Sequence, residues 1–238
     1  MAMPPQARSL QLNNKTILTA VVVIVLVACV GAVGWRYYGQ PQYTPPTTIT
    51  PETKADLMTP SPLGENAMGS ENAPVTIIEY ASTTCPHCAH FAEATFPELK
   101  KRYIDAGKVR YIYREFPLNE VDFSVYMLTR CIAKDKFFPL LETLFQQQKQ
   151  WAVKDWNAPL TNILKQAGFT DDSIKACLSN QQVYDGVKWS RDQGVRLGVD
   201  STPTFFINGK IYVGGMEIAD LEKIIMPLLG NAEAAGSH

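Results

Sequence analysis

The stretch VTIIEYASTTCPHC, Val75 to Cys88, constrains the fold more than any other part of the chain. Val75, Ile77, Ile78 and Tyr80 form a run apolar on both faces, the pattern of a central strand covered on each side, and Glu79 is its one carboxylate. Residues 86 to about 104 continue with helical spacing: Phe91, Thr95 and Leu99 recur at i, i+4 and i+8, and Pro97 predicts a kink. A second strand is expected in VRYIYREF, Val109 to Phe116. Strand, helix and strand at this spacing predict a βαβ unit with a right-handed crossover.

Beyond that unit, residues 120–198 carry no strand pattern and several helical ones, in VYMLTRCIA, FPLLETLFQQQ, LTNILKQAG and QQVYDGVKWSRDQGVRLG. This segment is read as a helical insertion. Two short strands follow in TFFINGKIYVGG, joined at Asn208-Gly209, a strong hairpin signal. A closing helix in IADLEKIIMPLL is expected to place Ile218, Leu221, Ile225 and Leu228 on one face. The α/β core is therefore expected in residues 70–119 and 199–230, with a flexible tail at 231–238.

A formal net charge of −1 and a pI near 6.3 argue against a nucleic acid or other polyanion as partner. The charge is unevenly placed, since no Asp or Glu precedes Glu52 and TILTAVVVIVLVACVGAVGW, between Lys15 and Arg36, has none of either sign. As a helix these roughly 20 residues reach about 30 Å, the thickness of a bilayer core. With Trp35, Tyr37 and Tyr38 at one end, residues 16–36 read as a retained transmembrane anchor, the alternative being a cleaved signal. LVAC, Leu26 to Cys29, resembles a lipobox, yet the apolar run continues past it. Arg8 and Lys15 precede the span, which puts residues 1–15 in the cytoplasm and exports the rest. Residues 37–69, rich in Pro and Thr, read as an extended linker.

Cys85, Pro86, His87, Cys88 and His90 lie close together, and three chemistries compete for them. A closed zinc site needs a second ligand pair at a distance, and Cys131 and Cys177 are isolated from any His, so no metal is expected. A purely structural disulfide gains little from so short a loop. Thiol–disulfide exchange suits the spacing best: Cys85 attacks as thiolate and Cys88 resolves the mixed disulfide. Pro86 fits the first helical position, which leaves Cys85 at a helix N-terminus where N–H groups and the macrodipole favour a thiolate. His87 can add a donor or partial positive charge, whereas His90 reads as an ordinary helix residue. Glu79, if buried, has a raised pKa and can exchange a proton with Cys88; the alternative is a strand-edge residue facing water. Thr202-Pro203 precedes a strand, which calls for a cis bond or a strand start.

Taken together, VTIIEYASTTCPHC, the helical insertion and STPTFFINGKIYVGG resemble the DsbA-type thiol:disulfide oxidoreductases of the thioredoxin superfamily over about residues 70–230. That resemblance implies a thioredoxin fold interrupted by a helical domain. It matches the family's CPHC site to Cys85, Pro86, His87 and Cys88, its cis-proline groove to Thr202 and Pro203, and its buried acid to Glu79. It implies no soluble cofactor, substrates that are reduced or unfolded exported proteins, a membrane quinone-linked DsbB-like reoxidising partner, and a monomer in the bacterial periplasm or cell envelope. Threonine precedes the proline where the best-known family oxidases have valine, which leaves a disulfide isomerase or reductase, kept reduced by a membrane electron donor, as the alternative. A non-enzymatic metal-binding or chaperone module is the alternative from another class. Cys131 and Cys177 form an extra pair, as in some related subfamilies, either bonded or as two free thiols.

Overall fold

The computed structural model describes residues 56–235, with side chains described to residue 230. The apolar segment 16–36, Cys29, the linker before residue 56 and the last three residues of the tail lie outside the described residues. Among the described residues no helix is long and apolar enough to cross a membrane.

Five strands form one sheet: β1 (Asn66–Met68), β2 (Val75–Ala81), β3 (Val109–Glu115), β4 (Thr204–Ile207) and β5 (Lys210–Val213), in the order β1-β3-β2-β4-β5. β2 runs parallel to β3 and antiparallel to β4, so Glu79 stands between Tyr113 and Phe205 at the centre of the sheet. Alternation of side chains divides β2 between two layers. Ile77 packs with Tyr111, Tyr113, Phe205, Phe91 and Leu99 on one face. Ile78 and Tyr80 pack with Ile112, Phe206, Leu197 and Leu57 on the other. The hairpin turn is Asn208-Gly209, both at positive φ (46° and 87°), which suits the twist of the strands it joins.

The helix after β2 starts as α1 (Pro86–His90), widens into a π-helical segment (Phe91–Thr95), resumes as α2 (Phe96–Leu99) and widens again over Lys100–Ile104. Phe91, Thr95 and Leu99 are all buried. The kink expected at Pro97 is instead a change of helical pitch. A wider turn just before the proline accommodates its missing N–H and its ring without breaking the path.

Residues 120–196 supply the insertion: α3 (Glu120–Arg130), a 3₁₀ turn (Lys134–Lys136), α4 (Phe137–Gln146), α5 (Gln148–Trp151), α6 (Asn157–Gln166), α7 (Asp171–Leu178) and α8 (Gln181–Arg196). Cys131, at the end of α3, is joined to Cys177 of α7 by a disulfide, 46 residues apart in sequence. α9 (Ile218–Ala235) closes the domain, with Leu221, Ile225 and Leu229 buried and Leu228 only partly so. Leu229, four residues beyond Ile225, thus takes the last core position expected of Leu228. The helix also continues to Ala235, into the tail expected to begin at 231, since Ala and Glu after Asn231 favour helix.

The linker expected to run to residue 69 ends sooner. Leu57 is buried in the second core layer, and β1 pairs antiparallel with β3. Buried Arg114 on β3 donates to the Thr59 carbonyl at 3.0 Å and pairs with Glu65 at 3.3 Å. On the neighbouring residue, Glu115 accepts from Asn66 and forms a two-pronged ion pair with Arg130 of α3 (2.5 and 3.0 Å). Pairing and buried ions hold this segment, so it shows no apolar period in the sequence.

Candidate active site

β2 ends at Ala81 and β4 begins at Thr204, and the register pairs Tyr80 with Thr204. The loops leaving one strand and entering the other must therefore meet. One carries Ser82 to Cys85; the other carries Thr202-Pro203, whose peptide bond is cis. Their meeting point is the Cys85 sulfur, whose thiol donates to the Thr202 carbonyl oxygen at 3.2 Å.

Cys85 sits at the N-cap of α1 with extended backbone (φ −82°, ψ 121°), and Pro86 follows as the first helical residue. Both Cys85 and Cys88 are free thiols, the first 7% exposed and the second 0%. Their surroundings drive them apart. The neighbouring Cys88 thiol, ahead of the Thr202 side chain and the backbone N–H groups of Cys88 and His87, lowers the Cys85 pKa to about 5 against the opposing cost of burial. The Thr202 hydroxyl is buried and has no hydrogen-bond partner among the described residues. Burial first, then Cys85 and Glu79, push the Cys88 thiol far above its ordinary range.

Glu79 is 2% exposed, which excludes the strand-edge alternative. Burial raises its pKa to about 8, opposed by the Tyr111 hydroxyl that donates to its Oε2, and the nearby Cys85 adds to the rise. A cavity of about 270 Å³ reaches this carboxyl, walled by Phe91, Phe96, Tyr111 and Phe138 among others. Two further buried tyrosines form a separate hydrogen-bonded pair, Tyr113 sharing a 2.7 Å hydrogen bond with Tyr126, which donates to the Ala81 carbonyl at 2.6 Å.

His87 is exposed on α1. His90 is also exposed and pairs with Glu217 at 2.9 Å, in the connection to α9. Neither joins a metal set: among the described residues no group of three or more His, Cys, Asp or Glu side chains is placed to hold an ion. The Cys131–Cys177 disulfide lies in the insertion.

Two buried residues under the loop escape a reading of the sequence. Asp122 of α3 accepts from the Thr83 N–H at 2.9 Å and from the Leu118 N–H at 3.0 Å. Gln148 of α5 donates from one amide nitrogen to the carbonyls of Thr83 (2.8 Å) and Cys85 (2.9 Å). Asp122 looks like any acid in the first turn of a helix, and Gln148 is one of four glutamines in QQQKQ. Only tertiary contact distinguishes either.

An acidified thiol above a buried, proton-holding one is suited to exchange disulfides stepwise, because the two sulfurs differ as nucleophile and leaving group. Comparison with known proteins agrees with that chemistry. The family model described as Thioredoxin matches residues 62–226. A Rickettsia bellii protein named "Putative protein-disulfide oxidoreductase" is 34% identical over 164 residues, 67% of this chain and 63% of that protein. The chain thus spans less than two thirds of that relative's length. Among solved structures, Wolbachia pipientis alpha-DsbA1 gives a TM-score of 0.70 at 28% identity, covering 76% of this chain and 98% of that one. Oxidised BdbD from Bacillus subtilis shares the fold, with a TM-score of 0.64 at 22% identity over 72% of this chain and 96% of that one.

Proposed function

The chain belongs to the thioredoxin family, and from that premise we propose that it is a DsbA-type thiol:disulfide oxidoreductase working as a dithiol oxidase on exported proteins. The observation that carries the reading is the inequality of the two sulfurs: Cys85 beside the cis Thr202-Pro203 bond with a pKa near 5, and fully buried Cys88 held protonated.

In the oxidised enzyme a substrate thiolate attacks the Cys85 sulfur, forming the mixed disulfide and breaking the Cys85–Cys88 bond. Cys88 leaves as thiolate and takes a proton from Glu79, which holds one at neutral pH. A second substrate thiolate attacks the substrate sulfur of the mixed disulfide, completing the substrate disulfide and releasing Cys85 as thiolate. Two electrons have passed to the enzyme. Stabilising that thiolate favours the reduced enzyme, which makes its disulfide oxidising. Pro86 starts the helix that provides this stabilisation, His87 contributes its N–H, and Thr202 and Pro203 line the groove where substrate backbone docks. A quinone-linked membrane protein would take the electrons back. Residues 16–36 would tether the domain to the inner membrane on its periplasmic side, or be cleaved as a signal.

The test is the Cys85–Cys88 reduction potential measured by glutathione equilibrium, with reduced and scrambled model proteins assayed beside it. An oxidase has a potential well above that of cytosolic thioredoxin, about −270 mV, and forms disulfides in the reduced substrate. A potential near that value, with activity only on scrambled substrate, would replace this reading with the isomerase or reductase one.

A further inference from the structure

The carbonyls of Thr83 and Cys85 flank the turn that delivers the nucleophile, and both are served by Gln148, at 2.8 and 2.9 Å. The Cys85 carbonyl also accepts the Ala89 N–H at 3.1 Å, the first hydrogen bond of α1. Gln148 is 6% exposed and lies in a one-turn helix. Three residues on, fully buried Trp151 anchors that turn by donating its indole N–H to the Leu144 carbonyl at 2.7 Å. The side chain is therefore fixed from the insertion and grips the loop from above the helix start, while Asp122 holds the Thr83 N–H of the same loop.

We propose that Gln148 is a positioning residue that keeps the Cys85 sulfur against the first turn of α1, so that the helical insertion sets how oxidising the cysteine pair is. This rests on the redox reading above. Without the amide, the buried Thr83 carbonyl loses its partner and the Cys85 carbonyl keeps only the Ala89 N–H, and the loop must turn to satisfy the orphaned oxygen. That movement carries Cys85 away from the N–H groups of His87 and Cys88 that favour its thiolate. The reduced enzyme is then less favoured, and the disulfide less oxidising.

The experiment equilibrates wild type, Gln148→Leu and Gln148→Met with reduced and oxidised glutathione at neutral pH; each exchange passes two electrons from the pair to glutathione disulfide, and the two glutathione thiols formed take one proton from Cys88 and one from solvent, Cys85 being a thiolate. Melting temperatures of the oxidised and reduced forms are taken in parallel. The expected result is a shift of about five-fold in the equilibrium constant toward the enzyme disulfide, the scale of one net hydrogen bond, and a smaller gap between the two melting temperatures. A merely structural clamp lowers both melting temperatures equally and leaves the equilibrium where it was, and that result in either folded variant overturns the proposal. Gln148→Met, closest in length, serves if Gln148→Leu does not fold. A wild type that exchanges with no thiol would overturn the redox reading itself and this inference with it.

Discussion

The Tyr111 hydroxyl donates to Glu79 Oε2 across the parallel β2–β3 pair, with both side chains buried in the core. The hydrogen bond orients a carboxyl that burial holds at a pKa of about 8, so its proton is available at neutral pH and lost just above it. Glu79→Gln keeps the shape and the Tyr111 contact but removes the exchangeable proton. In rapid-mixing experiments the step that protonates or deprotonates Cys88 slows about ten-fold or more. The midpoint near pH 8 in the wild-type rate profile also disappears. Identical profiles in the two proteins would assign the proton to another group.

The same carboxyl also destabilises the fold in a defined pH window. Its pKa is 4.5 unfolded and about 8 folded, so between those values the folded chain binds more protons than the unfolded one. Stability therefore falls as pH rises from about 4.5 to about 8 and is flat beyond, by about 4–5 kcal/mol in all. Glu79→Gln lacks this dependence. Its denaturation midpoint should exceed that of wild type by a margin that grows across this window; a margin constant with pH would mean that Glu79 is ionised in the folded protein.

For Cys85 the shift has the opposite sign. Lowered from 9.0 to about 5, its pKa makes the reduced form gain stability over the oxidised one as pH rises between those values. Alkylation of the reduced protein should accordingly have its half-maximal rate near pH 5 and label Cys85 but not buried Cys88. A midpoint near the ordinary thiol value would remove the basis for an oxidising disulfide.

How much of this was legible in the sequence depends on whether a residue's role is local. The β2 strand, the helix opened by Pro86 and the Asn208-Gly209 hairpin follow from backbone rules acting over a few residues, and the structure has all three. The burial of Glu79 was one of two readings, because an apolar run with one carboxylate does not say which strands flank it. Sequence could not extend the fold back to Leu57, since β1 and the Arg114–Glu65 pair join segments about 50 residues apart without any apolar period. Gln148 is harder still: its significance lies in two carbonyls more than 60 residues earlier.

The early segment and α8 are packed closely enough to test by a single methyl group. A Cβ on Gly186 would stand 2.2 Å from Leu63 Cγ, an overlap that the branched carbon cannot relieve by rotating its end. Gly186→Ala improves helix propensity by about 1 kcal/mol, yet overpacking costs about 1–3 kcal/mol, so net destabilisation is expected in urea titration. Adding Leu63→Ala should make the alanine at 186 neutral or favourable. Equal cost with and without Leu63 would show that the two segments are not in contact.

The Cys131–Cys177 disulfide closes a 46-residue separation between α3 and α7. Constraining an unfolded loop of that size stabilises the fold by about 4 kcal/mol on the chain-entropy account. Replacing both cysteines with serine should therefore lower the unfolding free energy by up to that amount. The active-site loop is held from the insertion by Asp122 on α3, the helix that ends at Cys131, and by Gln148 on α5. If the disulfide only braces the insertion, glutathione equilibration of the folded double variant gives the wild-type constant. A changed constant would mean that the brace reaches Asp122 and Gln148, and through them the nucleophile loop.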